Sequence, residues 1–282
     1  TSTAFYRFFL SFPVLIIWMM LERHQIHQHK QDSSDPATAL DYILIFSAGS
    51  FLALDLAFWH LSMMHTTLVN ASLINNLATI FVPIAAWLFL QERIQPPLIV
   101  GIALAFLGSA ILAGHTLSLG GGRIVGDIYA LISAFFFTAF ILIMKRLRDR
   151  FTPSVIMAWG ALSAFCLLGM IVFLVGENFI PLTLSGWIPL FALALFVHVL
   201  GQGLMTYAMA YLSATLSALM LSLTTVFAAF FAWIFFHENL TLWQFLGAVV
   251  AFMGVVVARL PRNVLQKKEI TLQIYKGLNK NA

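Results

Sequence analysis

The chain has 282 residues, of which 61% are hydrophobic and only 9% charged. Soluble domains run near 25% charged, so this chain has too few polar groups to cover a water-facing surface, and a soluble globular class is excluded. The net charge of +4 resides mainly in connections and tail. No contiguous basic stripe with interleaved aromatics occurs, which excludes nucleic acid as a partner.

Runs of roughly 20 apolar residues, the length that crosses a bilayer core as a helix, recur along the sequence. We place nine spans, at about 3–21, 40–62, 66–90, 97–115, 126–145, 154–175, 186–208, 213–236 and 241–260. They are continuous apolar blocks rather than alternating ten-residue strands, so the fold class is an all-α membrane protein and not a barrel.

The first span carries Arg7 near its outer edge, and the loop after it holds His24, His27 and His29. With no Cys nearby these histidines define no metal site, and no cofactor is expected. The second span contains Asp55, the one acidic residue well inside a span, with Trp59 one turn on. A carboxylate and an aromatic plane on one face suit an amine-bearing solute or a coupling proton. A structural contact of Asp55 with Arg7 or with a neighbouring helix amide is the competing explanation.

On the third span, Ser72, Asn76, Thr79 and Pro83 are spaced four, three and four residues apart, one polar stripe on a continuous helix. Ser222 and Thr225 occupy the same face of the eighth span. These groups line a substrate cavity or bond helix to helix. In the seventh span His198 and Gln202 form a one-turn pair with Tyr207 beyond. They bind substrate, or His198 is a satisfied core histidine. Glu92 and Glu238 lie just past apolar blocks, where they favour the start of the next helix. Gly101, Ala105 and Gly108, like Gly247, Ala251 and Gly254, form small faces for close helix packing. The lone Cys166 lies within an apolar run, so no disulfide framework exists.

An offset of 146 residues superposes the two halves. Trp87, Glu92, Gly101 and Gly108 fall on Trp233, Glu238, Gly247 and Gly254. The same register pairs Thr79, Phe81 and Ala105 with Thr225, Phe227 and Ala251, a duplication that apolar composition alone would not produce. Alternating spans put Arg23, Lys30, Arg93, the 145–150 cluster and the basic tail on one side of the membrane, against Arg123 on the other. That bias places the C-terminus in the cytoplasm. Glu92 and its mate Glu238 then face opposite sides, so the two copies are inverted. The sequence divides into 1–115 (first repeat, four visible helices), 116–125 (Gly-rich loop), 126–260 (second repeat, five helices) and the basic tail 261–282, which lies near an anionic membrane surface. The unequal count points to a helix before Thr1.

The block Trp87-Leu-Phe-Leu-Gln-Glu92 with Gly101 and Gly108, and its copy Trp233-Ile-Phe-Phe-His-Glu238 with Gly247 and Gly254, resemble the two EamA-type repeats of the drug/metabolite transporter superfamily. Phe5-Tyr6-Arg7-Phe8 resembles the start of the second helix of that repeat. The resemblance implies two inverted five-helix repeats, ten helices in the full chain, both termini cytoplasmic, a central cavity, and secondary transport of small organic solutes. Many members carry a proline thirteen residues before the repeat's glutamate, where this chain has Thr79 and Thr225.

The resulting expectation is a monomeric secondary transporter of the bacterial inner membrane that moves a small metabolite by alternating access. Inverted repeats supply two mirror-related states of similar energy for this cycle. With Asp55 as the only deep acid and few cavity cations, an amino acid or other amine-bearing or zwitterionic solute is favoured, with nucleotide-like metabolites as the alternative. A coupling proton or counter-solute would be a further partner beside substrate and bilayer. An intramembrane enzyme is disfavoured: no His-Glu-x-x-His, no Gly-x-Ser-x-Gly and no paired intramembrane carboxylates occur.

Overall fold

The computed structural model describes residues 2–29, 38–113, 124–176, 186–236 and 241–259. The Gly120-Gly121-Gly122 loop, Glu238, the side chains of His27 and His29 and the basic tail lie outside the described residues. Among the described residues every regular element is helical: α1 (Ser2–His29), α2 (Ala39–His65), α3 (Leu68–Asn75), α4 (Ala78–Leu90), α5 (Pro96–Ala113), α6 (Ile124–Arg148), α7 (Pro153–Val175), α8 (Trp187–Ala192), a π-helical stretch (Leu193–Gln202), α9 (Gly203–Ala208), α10 (Ala214–Phe236) and α11 (Leu242–Ala258). Seven described segments are long and apolar enough to cross a membrane, and shorter apolar helices cover Ala214–Phe227 and Leu242–Ala258.

The distribution of side chains is that of a protein dissolved in lipid. Large apolar groups such as Phe173, Ile188 and Trp243 are exposed, while small residues and hydroxyls fill the interior. With no hydrophobic drive between helices in lipid, close packing and interhelical hydrogen bonds hold the bundle together. The chain is an integral, multi-pass, all-α membrane protein.

Two compact units divide the chain: Thr1–Leu90 with Thr116–Ala218, and Gln91–His115 with Leu219–Ala282. Each unit therefore draws on both halves of the sequence.

In the first unit, α2 starts at Thr38, which forms a reciprocal cap with Asp41: the Asp41 N–H donates to the Thr38 hydroxyl and Asp41 accepts from the Thr38 N–H. This satisfies donors that a helix start leaves orphaned. Asp41 also accepts from Arg150 at 2.8 and 2.9 Å, which ties the start of α2 to the turn between α6 and α7. Proline at the first helical position opens α7, and Gly176 closes it at φ 72, a left-handed conformation that only glycine adopts cheaply. The helices α2 and α7 cross where Gly49 meets the backbone of Gly160. Beside that crossing Ser163 donates to the Phe46 carbonyl at 2.7 Å, so Ser50 must be the donor in its 2.8 Å bond to Ser163.

In the second unit, α5 and α11 pack through the small residues. Gly101, Ala105, Gly108, Gly247, Ala251 and Gly254 are all buried. A Cβ placed on Gly254 would lie 2.6 Å from the Ala105 nitrogen and the Gly101 carbonyl oxygen. The two backbones thus touch, which no larger residue permits.

Two spans read as continuous are interrupted. The segment 66–90 breaks at Asn76 and Leu77, where the bonds from Leu77 N to Ile74 O and from Thr79 N to Asn76 O are tight i to i−3 links. Pro83, inside α4, offers no N–H to the Thr79 carbonyl and so loosens the first turns of α4 as well. The single polar stripe is accordingly two short arcs on separate helices. The segment 186–208 contains ten residues of π-helix, in which i to i+5 bonding replaces i to i+4. Four residues is slightly less than one turn of such a helix, so His198 and Gln202 stay on one side of it. His198 is buried and Gln202 only half-buried.

Candidate functional site

The first unit contains a polar chain at membrane depth. Asp55, on α2, is buried. Its Oδ1 accepts a 2.6 Å hydrogen bond from Ser133 on α6. Ser133 Oγ in turn accepts from Asn75 Nδ2 at 2.7 Å, and Asn75 also hydrogen-bonds the carboxylate. Ser133 has a single hydrogen and gives it to Asp55 Oδ1, so it must receive from the amide. At 2.6 Å the bond from Ser133 is at the short end of the O–H···O range. Asn75 reaches Ser133 because α3 ends there and the chain turns at Asn76 before α4 begins.

Two further groups surround the carboxylate. Arg7, on α1, acts on Asp55 electrostatically, and its Nε is buried without a hydrogen-bond partner among the described residues. His198, in the π-helical stretch, is buried with neither ring nitrogen partnered among the described residues, its ring edge-on to Phe8 at 4.6 Å. Beside it lies a cavity lined by Gly49, Leu52, Met157 and Gly160 among others, whose 10 Å³ of free space is room for about one water. A buried imidazole with two unmet nitrogens is costly unless something visits it. The arrangement offers an acceptor at Asp55, an unmet cationic donor at Arg7 and an unmet imidazole at His198.

The other sequence-selected residues lie as follows. Trp59, one turn along α2 from Asp55, is half-buried and packs against His60 at 5.6 Å. Thr79 is buried and donates to the Asn76 carbonyl at 2.7 Å. Gln202 Nε2 approaches Met205 Sδ at 3.6 Å, and its carbonyl accepts from Thr206. Tyr207 is exposed and pairs hydroxyl to hydroxyl with Tyr211 at 3.4 Å. Ser222 and Thr225 belong to the second unit, where Ser222 donates to the Leu219 carbonyl at 2.6 Å. Glu92 lies in the segment before α5 and is half-buried. Among the described residues, no group of three or more His, Cys, Asp and Glu could hold a metal.

Sequence reasoning missed Asn75 and Ser133. Ser133 was available as a lone hydroxyl in the Phe-rich part of α6. The Asn75-Asn76 doublet misled because a continuous helix selects Asn76 for the stripe, whereas the break turns Asn75 toward α6.

Helices that span a membrane and enclose buried polar groups at depth define a class, that of polytopic membrane proteins with an internal polar site. The EamA-like transporter family model matches residues 1–114 and 124–260, and the chain belongs to that family. It is a transporter rather than an enzyme. Two proteins of Archaeoglobus fulgidus, each named an uncharacterized transporter, are similar: one is 26% identical over 215 residues, 76% of this chain and 68% of the relative, and the other 24% identical over 257 residues, 90% and 86%. An uncharacterized transporter of Methanothermobacter thermautotrophicus is 27% identical over 198 residues, 68% of this chain and 57% of its own length. A crystal structure of a further protein superposes with a TM-score of 0.74 at 14% identity, covering 92% of this chain and 86% of that one, a likeness of fold.

Proposed function

We propose that this transporter is a secondary carrier of a small zwitterionic or amine-bearing metabolite, with Asp55 and Arg7 as the two poles of its binding site. The observation that carries the reading is the buried Asp55 carboxylate, fixed by Ser133 and Asn75, in the field of a half-buried arginine whose buried Nε has no hydrogen-bond partner among the described residues. Charges this deep are expensive unless paired or used, and a ligand with one positive and one negative end satisfies both poles at once. A multiply charged anion would find one cation and a repelling carboxylate. Trp59, Asn76, Thr79, His198, Gln202, Tyr207, Ser222 and Thr225 are the further residues assigned to substrate binding. The inverted repeats would exchange inward-open and outward-open states by rocking, with the protein a monomer in the plasma membrane and its C-terminus cytoplasmic. A coupled proton or counter-solute completes the cycle.

Counterflow of labelled solutes into proteoliposomes tests the reading. Exchange of an amino acid or amine, lost in Asp55→Asn, is the expected result. Undiminished transport by Asp55→Asn would remove Asp55 from the site, and exchange confined to anionic solutes would overturn the zwitterion assignment.

A further inference from the structure

A groove of 610 Å³ runs along the first unit between α2, α4 and α6, walled by Leu44, Phe81, Leu88, Phe135 and Ile143 among others. Phe81 and Phe135 stack face to face in its wall at 4.6 Å. Its lining includes Thr138 and Arg146, and the Thr138 hydroxyl already donates to the Ala134 carbonyl at 2.7 Å. The groove therefore offers an apolar length and a single cationic end, poor chemistry for a polar metabolite.

Arg146 stands apart from its neighbours. Lys145 donates to the Met209 carbonyl, Arg148 to the carbonyl of Thr206, and Arg150 to Asp41. Arg146 has no such partner among the described residues and is exposed. It belongs to the last turn of α6 with Lys145 and Arg148, a cluster of the kind that marks the cytoplasmic end of a span. From Phe135 to Arg146 the helix rises about 16 Å, close to half of a hydrocarbon core of about 30 Å. The groove is thus about as long as one leaflet is thick.

We propose that this groove is a binding site for an anionic phospholipid of the leaflet on the basic face, with an acyl chain along Leu88 and Phe135 and the headgroup phosphate on Arg146. The leaflet follows from the distribution of Lys and Arg, and the site is independent of the zwitterion reading of Asp55.

The test uses the full chain in vesicles of phosphatidylcholine doped with a photoactivatable phosphatidylglycerol, diazirine in the acyl chain, or with the matched phosphatidylcholine probe. After illumination, peptides 81–90 and 135–146 are expected to carry roughly fivefold more label from phosphatidylglycerol, the preference that one arginine at a membrane surface supplies. Arg146→Gln is expected to abolish the preference while leaving apolar labelling in place. Equal labelling by the two lipids, or an unchanged preference in Arg146→Gln, would overturn the proposal. So would protection of these peptides through crosslinking to a second copy of the chain. The wild-type comparison stands even if the variant fails to fold.

Discussion

The seam between α5 and α11 and the cluster around Asp55 are built on opposite plans. At the seam, residues that recur at the 146-residue offset, Gly101 with Gly247 and Gly108 with Gly254, bring two backbones into contact with no polar side chain between the glycines. Around Asp55 the residues do not recur, since Asp55 falls on Gly201 and His198 on Leu52. The helices there are interrupted, by the break at Asn76 and by the π-helical stretch. The duplicated residues supply close packing, and the unduplicated ones supply polarity and irregular backbone. Irregular backbone is tolerated at membrane depth only where protein or a cavity satisfies it, which ties the breaks to the polar site.

Substitutions can break this contrast in order of size. Gly254→Val should be the most damaging, because the added atoms meet backbone that cannot move aside; we expect a loss of roughly 3 kcal/mol in thermal melting of the purified protein. Wild-type stability in that variant would mean the seam is not a tight contact. Asp55→Ala strands the donors of Ser133 and Asn75 and should cost about 1–3 kcal/mol, with transport lost in counterflow. Asp55→Asn should recover most of the stability and none of the transport, which separates a functional carboxylate from a merely structural one. Ser133→Ala removes one hydrogen bond and should cost about 1 kcal/mol, with Asn75 free to shift toward the carboxylate. Gly201→Ala lies at the opposite end of the scale: the new Cβ would meet only the Phe196 carbonyl oxygen at 3.4 Å. Its melting point should stay within about 0.5 kcal/mol of wild type.

The same contrast explains what was legible in the amino-acid order. Apolar run length and the small-residue spacing in α5 and α11 are one-dimensional signals, so the helical class and the small faces could be read directly. Asp55 could be singled out because a carboxylate in an apolar run is conspicuous. Its partners could not, because Ser133 and Asn75 reach it only through the packing of α3 and α6 and through a helix break at Asn76. The π-helical stretch left no sequence signal we could read: its apolar composition is that of an ordinary membrane helix, and only the bonding pattern distinguishes it.

The glycine and alanine faces of α5 and α11 have one further property. Neither residue has side-chain rotamers to lose, so the seam closes without the entropic penalty that longer side chains would incur on burial. Glycine's usual weakness in a helix, backbone exposed to competing water, is also muted where no water competes for the backbone. Glycine, which loosens a helix in solution, thus serves close backbone contact in this unit when the surroundings are lipid.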